Sequence, residues 1–125
     1  MSDIVNARTF CLYEDIEKIK KLGLAKGGSL DNAIVVKDNK VLNNGGLRSE
    51  KEFVNHKILD LAGDFLLSGY RVLGKVRCYH GGHELTNLFL RSLMRSNTYF
   101  DIFEVDQFDK DKIDIKQPIN IAVNA

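Results

Sequence analysis

One long amphipathic helix, predicted over residues 50–69, constrains the fold of this chain most. Its apolar side chains recur at helical spacing and form one broad face. The members of this face are Phe53, Val54, Ile58, Leu61, Phe65 and Leu66. Gly69 is typical of the residue that follows a helix end, because glycine readily adopts the left-handed conformation found there. Since a face this wide is not stable in water, the helix must pack on a sheet or on another helix.

Strand-like and helix-like segments alternate along the rest of the chain. Periodicity predicts strands at residues 4–12, 33–36, 70–79 and 98–105, and further helices at 13–22 and 85–93. Turns rich in glycine and asparagine separate these segments. Together they predict an α+β fold, a two-layer sandwich of a mixed sheet with two main helices, in which residues 4–36 form a small strand-helix-strand unit.

Length and charge limit the classes of function. A chain of 125 residues fits one domain, here 1–125, with a polar and weakly patterned tail at 106–125. It carries 18 basic and 17 acidic residues and no long basic run, so nothing indicates a nucleic-acid tract or a membrane patch. We therefore expect no nucleic-acid partner.

The cysteines and the first residues favour a cytoplasmic protein. Cys11 and Cys78 stand alone without CxxC spacing, which is typical of reduced thiols in a protein core rather than of a disulfide framework. Residues 1–8 lack the apolar stretch of a signal peptide, and no apolar run is long enough to span a membrane. We expect a soluble, untargeted chain.

His56, Asp60 and Asp64 follow one another at intervals of four residues within the predicted long helix. Their side chains therefore lie along one stripe of the helix surface. An imidazole and a carboxylate one turn apart can bind Zn²⁺, although the same spacing is also common in ordinary surface pairs. A catalytic zinc normally takes three protein ligands, so the sequence leaves the third ligand open.

His83 follows Gly81-Gly82 at the start of the next predicted helix. A histidine there can act as an acid, or it can simply border the helix. Thr9 and Phe10 offer a hydroxyl donor and an aromatic plate, although such a pair in a strand usually serves packing. Lys57 is either a solvated lysine or, beside a metal, a group that holds an anion.

Several short motifs occur in an order that resembles one enzyme family. They are Ala7-Arg8-Thr9-Phe10, Gly27-Gly28-Ser29-Leu30-Asp31-Asn32-Ala33-Ile34-Val35-Val36, Val41-Leu42-Asn43, Gly46-Leu47-Arg48, Glu52-Phe53-Val54, His56-Lys57-Ile58-Leu59-Asp60, Gly63-Asp64 and Gly82-His83. In this order they resemble the C-terminal half of UDP-3-O-acyl-N-acetylglucosamine deacetylase, a zinc amidase of lipid A biosynthesis. The resemblance runs from about residue 4 to residue 95.

The resemblance implies a role for each candidate residue in removing the N-acetyl group of an acylated UDP-sugar. His56 and Asp60 would be two of the three zinc ligands. His83 would be the cationic acid or electrostatic stabiliser, which Asp64 orients and charges. The remaining implied contacts are Thr9 to the oxyanion, Phe10 to the sugar and Lys57 to polar or phosphate groups of the substrate.

The same resemblance implies that residues 11–36 form an inserted strand-helix-strand unit that walls an acyl passage. The candidate lining residues are Leu12, Ile16, Ala25 and Ala33. These residues would contact the acyl chain of the substrate.

The family's third zinc ligand and its glutamate base come from a Glu-His pair in the N-terminal half. The histidines of this chain are His56, His80 and His83, and none follows a glutamate. We therefore expect a separated C-terminal half that works only with an N-terminal half as its partner. A binding module or relic without chemistry is the alternative, and a hydrolase that recruits His80 as the third ligand is a further one.

Overall fold

The computed structural model describes residues 1–96 and 98–104. The chain divides into two compact units, Met1–Leu59 and Asp60–Ala125. The helices of the described residues are α1 (Ser2–Val5), α2 (Ile16–Lys21), α3 (Glu52–Phe65) and α4 (His83–Met94), and the strands are β1 (Thr9–Leu12), β2 (Ala33–Lys37) and β3 (Lys40–Val41). The predicted α+β class is confirmed, and α3 contributes residues to both units.

A three-stranded mixed sheet in the order β1-β2-β3 forms the centre of the first unit. β1 pairs with β2 in parallel, with Thr9 opposite Ala33, and β2 pairs with β3 in antiparallel fashion. Ile34 and Val35 of the central strand are buried. This burial on both sides explains why β2 is a continuous apolar run rather than an alternating one.

The turn between β2 and β3 consists of Asp38 and Asn39, which both have positive φ angles of 48° and 60°. Two-residue hairpins favour this conformation because its twist matches that of the flanking strands. Aspartate and asparagine tolerate the left-handed region better than most residues. The turn therefore fixes the register in which Lys37 faces Lys40.

Glu52 is the fully buried charged residue of the first unit, with 0% of its surface exposed. Its carboxylate accepts hydrogen bonds from the Arg8 side chain at 2.9 and 3.1 Å and from the backbone N–H groups of Arg8 and Arg48 at 3.0 and 2.6 Å. These bonds, led by the one from the Arg8 side chain, lower the pKa of Glu52 from 4.5 to about 2, although burial opposes the shift. Glu52 is therefore ionised in the folded chain at neutral pH.

Acid is expected to destabilise the first unit through Glu52. The unfolded chain takes up this proton near pH 4.5 and the folded chain only near pH 2, so the stabilisation is complete above pH 4.5 and is lost as the pH falls through 2. The contribution is about 3 kcal/mol. Urea unfolding of the chain and of Glu52→Gln across this pH range tests it. The difference in free energy of unfolding between the two should shrink towards pH 2, and a constant difference would contradict the assignment.

The core of the described part of the second unit contains Phe65, Thr86 and Leu90. The Phe65 ring packs on that of Phe89, with the ring centroids 5.9 Å apart. Gly69 ends the helical segment with a φ angle of 81°, as the sequence predicted. Both long helices were therefore predicted from their apolar periodicity.

Three predicted strands differ from the structure. Within residues 4–12 only Thr9–Leu12 is a strand, because Ser2–Val5 forms a helical turn instead. Residues 70–79 and 98–104 contain no strand, and residue 105 and the tail at 106–125 lie outside the described residues. Alternating side chains show which face could be buried, but a strand also needs a neighbouring backbone to pair with.

No helix within the described part of the chain is both long and apolar enough to cross a membrane. Cys11 and Cys78 are both free thiols, but the prediction that they lie in the core is wrong, because Cys11 is half-buried and Cys78 is exposed. Burial raises the pKa of the Cys11 thiol, with a smaller contribution from Asp15.

Candidate active site

His56 lies half-buried on α3, and its Nδ1 is 3.2 Å from the carbonyl oxygen of Ala7. A carbonyl oxygen can only accept, so Nδ1 carries the proton and donates it. In the neutral ring the lone pair is then on Nε2. Metal-binding histidines commonly have this arrangement, in which a backbone carbonyl fixes the tautomer and the ring orientation.

Phe10 on β1 lies beside His56 in the first unit. The two rings meet edge to face with their centroids 6.1 Å apart, and the Phe10 ring packs in the same way on Phe53 at 5.0 Å. Phe10 remains 39% exposed, so part of its ring is available to another molecule. Thr9 precedes it and is exposed. The structure thus brings the ring of Phe10 into contact with that of His56.

His83 is the first residue of α4, and Asp64 lies next to it in the second unit. The Nδ1 atom of His83 is 2.9 and 3.0 Å from the two carboxylate oxygens of Asp64. Its Nε2 atom is 4.0 Å from Oδ1 of Asp60. Because a carboxylate accepts, Nδ1–H donates to Asp64. This pair leaves Nε2 as the atom that could exchange a proton with a substrate.

Exposure within this cluster is uneven. The His83 side chain is 71% exposed, whereas those of Asp60 and Asp64 are 17% and 14% exposed. The carboxylates are therefore held within the protein while the ring faces solvent. This arrangement suits an acid that must reach a substrate and a counter-charge that must not move.

Gly81, in the loop before His83, lies close to the side chain of Cys78. A Cβ atom at Gly81 would lie 2.5 Å from the sulfur atom of Cys78, so a larger residue there would require the Cys78 side chain to move. His80 in the same loop has a φ angle of 51°, in the left-handed region that most side chains avoid.

The predicted acyl-passage residues lie on consecutive elements of the first unit. Leu12 ends β1, Ile16 begins α2, Ala25 lies in the following loop and Ala33 begins β2. Leu12 and Ala25 are exposed, and Ile16 and Ala33 are half-buried. Other exposed large apolar side chains of this part of the unit are Tyr13, Leu22, Leu24 and Leu30. A passage lined by these residues stays a prediction.

Within the described residues, no group of three histidine, cysteine or acidic side chains could hold a metal ion. His56 and Asp60 are four residues apart on α3 and offer one nitrogen and one oxygen donor. Zinc accepts both donor types, so the two residues fit as part of a ligand set. Lys57, between them in sequence, is half-buried.

Glu52, Arg8 and the carbonyl group of Ala7 are not among the site residues predicted from the sequence. The signal for Glu52 was its position four residues before His56, which places both on one helix face. The signal for Arg8 was a basic residue directly before a predicted site residue. Neither signal could show that the pair is buried, because their pairing joins segments far apart in sequence.

Comparisons with known proteins support the resemblance drawn from the motifs. A family model described as LpxC: UDP-3-O-acyl N-acetylglycosamine deacetylase matches residues 1–95. A UDP-3-O-acyl-N-acetylglucosamine deacetylase of Legionella pneumophila is 51% identical, over 81% of this chain and 35% of its own length. Proteins of the same name from Psychrobacter cryohalolentis and Teredinibacter turnerae are 46% and 40% identical, over 81% and 95% of this chain and 32% and 39% of their own lengths.

The chain belongs to the UDP-3-O-acyl N-acetylglycosamine deacetylase family. It spans about a third of the length of the curated relatives it matches.

Proposed function

We propose that this chain forms the C-terminal half of the active site of a zinc-dependent deacetylase. Its substrate would be UDP-3-O-acyl-N-acetylglucosamine, whose N-acetyl group is hydrolysed in the cytoplasm as a step of lipid A biosynthesis. The contact between Nδ1 of His83 and Asp64, with Nε2 turned towards Asp60, is the observation that carries the proposal. Membership of the deacetylase family supplies the reaction class.

His56 and Asp60 would hold the zinc ion together with a third ligand from the N-terminal half. When bound, zinc would polarise the amide carbonyl and activate a water molecule. The hydrogen bond from Nδ1 of His56 to Ala7 supports this assignment, because it leaves the lone pair on Nε2. The half-buried carboxylate of Asp60 one turn further along α3 supplies an oxygen donor.

His83 would donate a proton from Nε2 to the departing amine. Asp64 would hold the other nitrogen of the ring and balance the positive charge of the imidazolium. Thr9 would donate its hydroxyl hydrogen to the oxyanion that develops from the amide carbonyl. The general base that deprotonates water would be a glutamate of the N-terminal half.

Phe10 and Lys57 would bind the head of the substrate. The exposed part of the Phe10 ring gives the sugar a flat apolar surface, and Lys57 provides a positive charge for polar or phosphate groups. The exposed and half-buried apolar residues between β1 and β2 would line the acyl passage, because an acyl chain needs apolar surface along its length.

A chimeric chain tests this proposal. The part of the Legionella pneumophila relative that precedes its matched region would be joined to Met1 of this chain, so that both halves are present in one molecule. We expect the chimera to release acetate from UDP-3-O-acyl-N-acetylglucosamine in a zinc-dependent manner, and the chain by itself to release none. A folded chimera that binds zinc but never deacetylates would contradict the proposal. If replacement of His56 and Asp60 left the zinc content unchanged, the alternative of a binding module without chemistry would be favoured.

A further inference from the structure

We propose that Glu52 is a positioning residue, which sets the tautomer of His56 by orienting the peptide group that joins Ala7 to Arg8. The contacts that carry this role all lie in the first unit. The consequence for zinc binding rests on the proposed function. Glu52 would touch neither substrate nor metal and would act through His56.

The peptide group between Ala7 and Arg8 is held at both ends by side chains of α3. Its N–H donates to Oε1 of Glu52 at 3.0 Å, and its C=O accepts from Nδ1 of His56 at 3.2 Å. Glu52 and His56 are four residues apart on α3, about 6 Å along the helix axis. A trans peptide group has its N–H and C=O pointing in opposite directions, so it can join two side chains spaced in this way.

The chemistry of the partners permits one orientation of this peptide group. A carboxylate can only accept, so the N–H group must face Glu52 and the carbonyl oxygen must face His56. If the peptide group flipped, its N–H would face Nδ1 of His56, which would then have to accept. The ring would carry its proton on Nε2, and that atom could not bind a metal. Glu52 therefore excludes the tautomer with the proton on Nε2, which cannot bind a metal through that atom.

Further contacts of Glu52 keep its carboxylate in place. The Arg8 guanidinium donates to both carboxylate oxygens and also to the carbonyl oxygen of Gly46 at 2.8 Å. Two-point pairing of this kind fixes geometry as well as adding energy. The backbone N–H of Arg48 completes the set at 2.6 Å. Since the carboxylate is fully buried, no water can replace Glu52 without a rearrangement of this network.

Thr9 is positioned by the same peptide group. It follows Arg8 directly and begins β1, where it pairs with Ala33. The peptide orientation that Glu52 imposes thus fixes the start of the strand that carries Thr9 and Phe10. One buried carboxylate links the predicted oxyanion donor to the predicted zinc ligand.

Nitrogen NMR of the full chain without metal tests the structural step. Long-range correlations between ring protons and nitrogens distinguish the two tautomers of a neutral histidine. We expect His56 in the unmodified chain to carry its proton on Nδ1, and Glu52→Ala to lose this preference. A proton on Nε2 in the unmodified chain would overturn the inference, even if Glu52→Ala failed to fold.

Asn43→Ala is the matched control for lost stability. Asn43 is also buried in the first unit and bonds to backbone groups of Leu30, Ala33 and Val35, away from the peptide group of interest. We expect this variant to keep the Nδ1 proton. Glu52→Gln should restore part of the preference, because its amide oxygen can still accept from Arg8. If Glu52→Ala and Asn43→Ala gave the same tautomer, Glu52 would be a merely structural residue.

Zinc titration of the chimeric chain tests the functional step. Loss of a group that orients a metal ligand typically weakens metal binding by about 10- to 100-fold. We expect this loss for Glu52→Ala and not for Asn43→Ala. Equal zinc affinity in the two variants would overturn the positioning role. Failure of the proposed function is a separate outcome, since it would appear as zinc binding that His56→Ala does not change.

Discussion

His56→Ala in the chimeric chain is expected to weaken zinc binding by more than about 100-fold and to abolish zinc-dependent release of acetate. The loss of a ligand must exceed the effect of losing the group that merely orients it, which is typically about 10- to 100-fold. His56 has its Nδ1 proton bound to Ala7 and therefore offers Nε2 as a donor. Asp60→Ala should have a comparable effect, because each residue supplies one donor of a three-ligand set. Zinc titration and metal content after dialysis measure both effects.

His80→Ala is the control for this prediction. His80 lies in the exposed loop before α4 and is the histidine that neither metal nor acid roles require. Its replacement should leave zinc affinity unchanged. Loss of zinc binding in His80→Ala together with full zinc binding in His56→Ala would show that the zinc ligand is His80 and that its assignment to His56 is wrong. Retention of zinc in both variants would place the metal outside this chain's residues.

The fold was predictable where one segment carries its own periodicity. The apolar spacing of α3 and α4 and the continuous run of β2 each report burial within a single element. The strand predicted at residues 70–79 was wrong, because alternating side chains within one segment cannot specify a partner strand. The strand predicted at residues 4–12 was wrong at its start, where Ser2–Val5 is helical, because a few apolar residues fit a short helical turn as well as a strand.

The candidate site was predictable to the extent that its residues share a helix or a motif. The helical spacing of His56, Asp60 and Asp64 was enough to predict that all three lie on one helix, which is α3. The division of roles between the two aspartates came from the family resemblance alone. The hydrogen-bonded pair of Glu52 and Arg8 could not be predicted, because hydrogen bonds between residues 44 positions apart leave no local sequence pattern.

Replacement of His83, the proposed general acid, should impair catalysis without affecting metal binding. His83→Ala in the chimeric chain is expected to lower kcat by about 10²- to 10⁴-fold, the usual contribution of a general acid, with zinc affinity unchanged. The exposed ring of His83 is not a predicted zinc ligand, and its Nδ1 atom is engaged by Asp64. Steady-state kinetics and zinc titration of the same preparation measure the two effects independently.

Asp64→Asn should lower kcat by about 10- to 100-fold, less than His83→Ala, because it removes the counter-charge but leaves the ring. The double variant should be no slower than His83→Ala by itself, since a carboxylate that acts only through the ring has nothing to support once the ring is gone. Glu84→Gln is the matched control, because Glu84 is an exposed acid next to His83 on α4. Additive losses for His83 and Asp64 would show that the carboxylate acts on something other than the imidazole. If Glu84→Gln lowered kcat as much as Asp64→Asn does, the effect would come from negative charge near α4 in general and not from the contact of Asp64 with His83.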